Sequence, residues 1–197
     1  FSETACPSCG RPLPAKELGC AWCGGDARPL KEIRAVCTFE GAARQAIHAL
    51  KYEGMFGVAR PLAGMMAERF PPWAQIPDLI IPIPLHPERV RERGYNQATL
   101  LARLLCEQLS LEMDDNLLRR TRDTCPQVGL DRLQRRRNVA GAFSAHGALV
   151  KGRRVLLVDD VCTSGATLAA AAEALLEKGA ASVSGYCFAR PLAKLDV

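Results

Sequence analysis

The sequence predicts an α/β fold in which helices flank a mostly parallel sheet, preceded by a small metal-binding module. Apolar runs near 35–39, 79–83, 153–158 and 182–188 alternate with segments of helical periodicity. Strands that alternate with helices favour a parallel sheet, because each helix carries the chain back to the starting edge. Two Cys-x-x-Cys pairs near the N terminus indicate the separate module.

The composition is that of an ordinary globular protein. Of the 197 residues, 48% are hydrophobic and 24% are charged, so the chain can form one well-packed domain and a small module. We expect no membrane span, since no apolar run approaches roughly 18 residues, and no secretory signal. The net charge of +5 favours an anionic partner, either a phosphorylated metabolite or nucleic acid. An odd number of cysteines, nine, favours a reducing, cytoplasmic location over a disulfide framework.

Residues 1–30 are predicted to form the small module. Two knuckles each offer two thiolates to one tetrahedral ion, and their ligands are Cys6, Cys9, Cys20 and Cys23. So short a segment builds no hydrophobic core. Binding of structural Zn²⁺, worth about 10–16 kcal/mol in comparable peptides, would supply its folding free energy. A thioredoxin-type redox role is disfavoured, because that motif lies in a βαβ context. We therefore predict a zinc ribbon at 1–30 and a second domain at 31–197.

Two helices are predicted after the first strand. The first runs from about Gly41 to Lys51 and ends before Gly54, a stop signal. The second begins near Pro61, a residue favoured in the first turn of a helix. Its predicted inward face comprises Leu62, Met65, Met66 and Phe70.

The strand near 79–83 leads into a proline-rich segment and then into alternating arginines. Arg89 and Arg93 are four residues apart, so on a helical turn they would face one way and grip one polyanion. They follow the carboxyl end of a buried strand, where open α/β sheets bind ligands. An arginine run is equally typical of a solvated surface, and the residues alone leave both interpretations open. Of the three histidines, only His86 lies at a predicted strand end.

The chain is organised around Val155 to Thr167, which reads V-L-L-V-D-D-V-C-T-S-G-A-T. Its four leading apolar residues predict a strand buried on both faces. Asp159 and Asp160 follow, then a short turn, and then an alanine- and leucine-rich helix from about Ala166. This order of elements is what a sugar phosphate needs for binding.

Each polar residue of this stretch has a predicted role. The helix N terminus attracts a phosphate through its free N–H groups and dipole. The loop adds three hydroxyl donors and a glycine that lets the backbone approach, so the predicted phosphate site comprises Thr163, Ser164, Gly165, Ala166 and Thr167. Asp159 and Asp160 can accept hydrogen bonds from ribose hydroxyls or hold a divalent ion through water. An ordinary helix cap would explain one hydroxyl, not the whole set.

Residues 115–145 have the least regular pattern and a strong basic character. Their basic side chains are Arg119, Arg120, Arg122, Arg132, Arg135, Arg136 and Arg137. By its position before the strand at 155–158, the segment resembles the mobile flap of phosphoribosyltransferases, which would close over a substrate and bring cations to a leaving pyrophosphate. It also suits a basic arm for single-stranded nucleic acid, although interleaved aromatic residues are missing. Both interpretations stay open.

The stretch at 155–167 resembles the signature of type I phosphoribosyltransferases, which binds phosphoribosyl pyrophosphate (PRPP). The resemblance extends to the ComF family of competence proteins, through the motifs L-K-Y-x-G at 50–54, P-I-P-L-H-P at 82–87, R-x-R-x-R-G-Y-N-Q at 89–97 and Pro126-Gln127. It implies a phosphoribosyltransferase fold with an N-terminal zinc module, and Mg²⁺ bound with PRPP.

The resemblance also implies site residues and leaves two functions to weigh. The segment from Leu85 and His86 to Gly94, with Arg89 and Arg93, takes the place of the pyrophosphate loop. One expectation is an enzyme that transfers phosphoribose from PRPP, with Asp159 and Asp160 as its catalytic residues. Its ligand would be PRPP or another phosphorylated ribose. The other is a non-catalytic competence protein of natural transformation and DNA uptake, which binds single-stranded DNA or a DNA-processing partner.

Overall fold

The computed structural model describes residues 6, 8–11, 20, 23, 29–72, 76–124 and 132–191, with the side chains of 132 and 133 left aside. The motif residues Pro126 and Gln127 and most of the predicted zinc ribbon lie outside these ranges. Within them, no helix is both long enough and apolar enough to cross a membrane.

Strands and helices alternate along the described chain. The strands are β1 (Ile33–Thr38), β2 (Leu79–Pro82), β3 (Leu118–Arg120), β4 (Phe143–Ala145), β5 (Arg154–Val161) and β6 (Ser182–Arg190). The α-helices are α1 (Gly41–Tyr52), α2 (Ala59–Glu68), α3 (Pro87–Arg93), α4 (Gln97–Leu109), α5 (Arg132–Val139) and α6 (Ala166–Glu177).

Four strands form a parallel sheet in the order β1-β6-β5-β2, and this confirms the predicted α/β class. β5 lies inside the sheet: Leu79 of β2 is in register with Val155, and Val158 is in register with Tyr186 of β6. All four carboxyl ends therefore reach the same edge. The residues that follow β5 and β2 meet there.

The two faces of the sheet carry separate hydrophobic cores. Along β5, Val155 and Leu157 pack with α6 and the β3–β4 pair, whereas Leu156 and Val158 pack with α1, α2 and α4. Side chains of a strand alternate between faces, so a strand covered on both sides is apolar at every position. This explains the unbroken apolar run of β5.

Three details differ from the sequence predictions. β1 begins at Ile33, two residues earlier than predicted, and β5 continues through the two acids to Val161. The predicted inward position of Met65 is wrong, since this side chain is 37% exposed. Because α2 already begins at Ala59, its buried stripe runs through positions 59, 62, 63 and 66, and Met65 lies beside that stripe.

The basic segment at 115–145 contains ordered elements where it is described. β3 and β4 pair antiparallel, with Arg120 opposite Phe143, and α5 packs against α6. Residues 125–131 lie outside the described ranges. This unit covers one side of the carboxyl edge of the parallel sheet.

Candidate functional site

A cavity of about 680 Å³ opens at the carboxyl edge of the sheet, between α1 on one side and the β3–β4 unit on the other. This volume is typical of small-molecule sites, which span about 300–1,000 Å³. Seven of the sequence-predicted site residues line it: Leu85, Asp159, Asp160, Thr163, Gly165, Ala166 and Thr167. The structure thus brings together residues from the ends of β2 and β5 and from the start of α6.

The two adjacent acids point to opposite sides of the sheet, because β5 continues through them. Asp160 shares the face of Val158 and lies against α1 and α4, where its side chain is only 3% exposed. There it forms an ion pair with Lys51 and accepts a hydrogen bond of 3.2 Å from Gln97 Nε2. Asp160 is therefore fixed by protein partners.

Asp159 lies on the other face and has a different electrostatic environment. Burial and the neighbouring charge of Asp160 raise the pKa of Asp159 well above its usual range. Burial also opposes ionisation of Asp160, but the charge and hydrogen bond of Lys51 prevail and lower the pKa of Asp160. The pair thus divides into a carboxylate whose ionised form is stabilised by Lys51 and one whose ionised form gains from a new cationic or hydroxyl partner.

The β5–α6 loop, residues 162–165, brings a helix N terminus to the cavity. Gly165 has φ of 82°, in the left-handed region that favours glycine, and this turn starts α6 at Ala166. Ser164 Oγ accepts a hydrogen bond of 3.3 Å from the N–H of Ala166, the first residue of α6. Thr163 and Thr167 line the cavity itself.

Three lining residues, Arg44, Lys51 and Gln97, were missed by the sequence reasoning, whereas Arg120 and Arg135 belong to the basic segment at 115–145. Lys51 and Gln97 belong to the motifs at 50–54 and 89–97, which were recognised without a role for either residue. Arg120, on β3, lines the opposite side of the cavity. Burial lowers the pKa of Arg120, while the charges of Asp123 and Asp159 act in the other direction.

The structure does not bring Arg89 and Arg93 together at the cavity. Both lie on the short helix α3, but Arg89 Nη1 donates to Glu92 Oε2 at 2.9 Å. Arg93 donates to Gln97 Oε1 and lies 5.5 Å from the centre of the Tyr52 ring. His86 precedes this helix, with its Nδ1 3.9 Å from Glu88 Oε2.

Two aromatic pairs form what we call the aromatic rim: His48 and Tyr52 line the cavity, and Phe56 packs on the half-buried Tyr95, two residues beyond Arg93. Tyr52, at the end of α1, is 69% exposed, and Phe56 is 55% exposed. The ring centres of His48 and Tyr52 are 5.3 Å apart, and those of Phe56 and Tyr95 are 4.6 Å apart. With Arg93 over Tyr52, the rim presents flat apolar rings beside a cation.

The four predicted metal ligands, Cys6, Cys9, Cys20 and Cys23, form a buried cluster. The sulfur of Cys6 lies 3.6 Å from that of Cys23, and the sulfur of Cys9 lies 3.6 Å from that of Cys20. Tetrahedral Zn–S bonds of about 2.3 Å place sulfurs about 3.8 Å apart, so the cluster fits zinc. Burial opposes ionisation of Cys6, but backbone hydrogen bonds at Cys9 and Ser8 lower its pKa to about 7.

The parallel sheet, with an acid pair and a hydroxyl-bearing loop at its carboxyl edge, has the architecture of phosphoribosyltransferases. The phosphoribosyl transferase domain family matches residues 91–197, more than half of the chain, and the chain belongs to this family. The resemblance to ComF proteins is likewise confirmed by the curated relatives.

Two of these relatives match nearly the whole chain. DNA utilization protein YhgH of Escherichia coli O157:H7 is 35% identical over 96% of this chain and 86% of its own length. Competence protein ComFC of Bacillus subtilis is 32% identical over 94% of this chain and 77% of its own length. Among solved structures, glutamine PRPP amidotransferase from B. subtilis covers 66% of this chain and 25% of its own, with 22% identity and a TM-score of 0.45.

Proposed function

We propose that the cavity binds PRPP together with Mg²⁺, and that the chain is a phosphoribosyltransferase-like protein of the ComF type. The observation that carries the proposal is that Asp159 and the N terminus of α6 face one cavity of about 680 Å³. A ribose phosphate needs this combination, because its anionic end is attracted by free N–H groups and its hydroxyls by a carboxylate.

In this proposal, different lining residues bind the 5′-phosphate, the ribose and the pyrophosphate of PRPP. The 5′-phosphate sits at the β5–α6 loop, where Thr163 and Thr167 donate hydroxyl hydrogen bonds. The ribose hydroxyls donate hydrogen bonds to Asp159, whose Oδ1 already accepts one from the N–H of Asp160 at 2.8 Å. Arg120 and Arg135 lie across the cavity and supply positive charge to the pyrophosphate. This assigns the segment at 115–145 to the ligand rather than to a separate arm.

The predicted Mg²⁺ enters with the polyphosphate. Asp159 is the donor that fits it, because carboxylate oxygens are preferred magnesium ligands and this carboxylate lines the cavity. Asp160 is occupied by Lys51 and Gln97. Magnesium would neutralise charge on the pyrophosphate. Asp160 and Lys51 would then hold the end of β5 in place beneath the ribose.

The cysteine cluster belongs to the same proposal as a structural centre. Residues 1–30 form a zinc ribbon, and residues 31–197 form the phosphoribosyltransferase-like domain. The described cysteines are free thiols, and a tetrathiolate zinc site requires reduced cysteines. This chemistry supports a reducing, cytoplasmic location.

A thermal-shift measurement tests PRPP binding. With Mg²⁺ present, PRPP at a hundredfold excess over its Kd should add about 2.7 kcal/mol to the free energy of unfolding. Ribose 5-phosphate should also stabilise the protein, because it shares the 5′-phosphate and the ribose. An unchanged melting temperature with both ligands would refute the proposal. Release of pyrophosphate on addition of candidate acceptors separates an enzyme from a binding protein.

Single-stranded DNA is a second candidate ligand, favoured by the aromatic rim. Bases stack on exposed rings, with about 1–3 kcal/mol per base, and Arg93 beside Tyr52 offers a cation to the strand backbone. Relatives of the chain carry the names DNA utilization protein and competence protein. Fluorescence anisotropy of a labelled oligonucleotide tests this candidate. Competition by PRPP would indicate that the two ligands overlap at the mouth of the cavity.

A further inference from the structure

The cysteine cluster contacts the β5–α6 loop through two arginines. Arg11, two residues beyond Cys9, donates from Nη2 to the carbonyl oxygen of Thr163 at 2.9 Å. Arg190, the last residue of β6, lies 3.5 Å from the same oxygen through its Nη2. Its Nη1 donates to the carbonyl oxygen of Cys9. One carbonyl of the loop is therefore held by two guanidinium groups, and both of these are fixed at the cysteine knuckle.

The knuckle itself lies directly against the first strand of the sheet. The N–H of Ile33 donates to the carbonyl of Ser8 at 2.9 Å, which joins the knuckle to β1. Gly10 has φ of 68°, and a Cβ there would lie 2.3 Å from the carbonyl oxygen of Ile33. Only glycine permits this approach. Movement of the knuckle therefore displaces Arg11 relative to the loop.

The orientation of the Thr163 carbonyl decides where the next N–H points. In a planar trans peptide, the C=O of one residue and the N–H of the next point in opposite directions. The two arginines draw the Thr163 carbonyl toward the knuckle, so the N–H of Ser164 is aimed away from it. Thr163 is among the described residues that line the cavity, and neither Arg11 nor Arg190 is. The two arginines thus contact the loop on the side that faces away from the cavity.

The positive charges of Arg11 and Arg190 are better accommodated when the cysteine cluster holds zinc. Arg190 is 7% exposed and Arg11 is half-buried, so two like charges lie close together away from water. A Zn²⁺ ion bound by four thiolates carries a net charge of −2 and offsets both. Loss of the metal removes the fixed geometry of this counter-charge and loosens the knuckle.

We infer that the zinc-loaded cysteine cluster positions the β5–α6 loop through Arg11 and Arg190, so that zinc binding and binding of a ribose 5′-phosphate are coupled. This inference rests on the proposed function, which puts the phosphate at that loop. Arg11 and Arg190 are positioning residues, because they act on the ligand only through the backbone of Thr163. Coupling between two sites is reciprocal, so the ligand must strengthen zinc binding by the same factor.

The test uses ribose 5-phosphate as probe and the full chain in zinc-loaded and chelated forms. Arg11→Gln is the variant, and Arg153→Gln, at an ion pair with Glu112 remote from the loop, is the matched control. Calorimetry should show that chelation weakens ribose 5-phosphate binding about three- to tenfold, and that Arg11→Gln does so with its zinc retained. In that variant, chelation should have a smaller further effect. Ribose 5-phosphate should slow loss of zinc to a competing chelator in the parent and in Arg153→Gln, but not in Arg11→Gln.

Equal affinity in the loaded and chelated forms, or equal behaviour of Arg11→Gln and Arg153→Gln, would overturn the coupling. If the parent binds neither ribose 5-phosphate nor PRPP, the proposed function fails instead. The positioning role is then judged without ligand, by hydrogen exchange of the loop amides from Ser164 to Thr167. Faster exchange on zinc removal and in Arg11→Gln supports positioning, and unchanged exchange refutes it.

Discussion

Lys51 and Asp160 form an ion pair that ties the last turn of α1 to the last residues of β5, directly beneath the cavity. The side chain of Lys51 is 21% exposed and that of Asp160 only 3%. Gln97 at the start of α4 adds a hydrogen bond to the same carboxylate. Three elements that lie far apart in the sequence thus meet at one acid, and Asp159 is left as the acid available to a ligand.

Breaking this ion pair should destabilise the fold. In Lys51→Met the carboxylate of Asp160 stays buried without its cation, beside a second acid. Loss of one partner of a buried pair costs about 3–5 kcal/mol. Urea unfolding followed by circular dichroism measures the loss. The double variant Lys51→Met with Asp160→Asn should recover much of it, and an additive result would show that the two residues do not interact.

Asp159→Asn should stabilise the unliganded fold at neutral pH. Burial and the charge of Asp160 raise the pKa of Asp159 above its unfolded value of about 3.9. A carboxyl of this kind contributes stability below its unfolded pKa and loses it as pH rises through the folded pKa. The melting temperatures of variant and parent should therefore diverge from pH 4 to pH 8, with the variant higher. A variant that is less stable at pH 8 would contradict this assignment.

The loop hydroxyls should matter for the phosphate. Thr163→Ala and Thr167→Ala should each weaken ribose 5-phosphate binding by about 1 kcal/mol or more, since each removes one donor to an anion. Thr99→Ala, on α4 and outside the cavity lining, is the matched control. Calorimetry compares the three dissociation constants. Parent-like binding in both loop variants would move the phosphate away from this loop.

Purified protein should contain close to one zinc per chain. Cys6→Ser and Cys20→Ser should each abolish it, because a tetrahedral site needs all four thiolates. Cys106→Ser changes a buried thiol on α4, outside the cluster, and should keep the metal. Metal analysis by mass spectrometry of freshly reduced protein decides the matter, and a zinc-free parent would rule out the zinc ribbon.

The two models of DNA binding give different salt dependences. If bases stack on the rim, Tyr52→Ala and Phe56→Ala should weaken oligonucleotide binding by about 1–3 kcal/mol at every salt concentration. If the basic segment acts as an arm, Arg136→Ala with Arg137→Ala, both exposed on α5, should instead make the salt dependence shallower. Anisotropy across a salt series separates the two. Parent-like binding in the two single variants and in the double variant would leave neither surface as the DNA site.

The elements of the fold could be predicted where one local pattern determines them. The apolar run of β5 and the alanine-rich α6 were predicted because burial on both faces and helical spacing are visible within a few residues. The grouping of Asp159, Asp160, Thr163 and Thr167 followed from the same connection.

Contacts between distant elements could not be predicted in this way. Lys51 lies more than a hundred residues before Asp160, and only the order of strands in the sheet brings them together. Arg89 and Arg93 share α3, but their partners depend on how α3 meets α4. The link from Arg11 and Arg190 to Thr163 likewise arises from docking of the knuckle on β1, for which Gly10 is the only local sign.

The central claim, that Asp159 and the β5–α6 loop bind PRPP, is tested most directly by calorimetric titration of PRPP and Mg²⁺ into the zinc-loaded parent and Asp159→Asn. The account predicts one PRPP per chain in the parent. Since a hydrogen bond to a charged group contributes about 1.5–3 kcal/mol, the variant should bind at least tenfold more weakly while remaining folded. Equal affinity in the two proteins, or no binding by the parent, would contradict it.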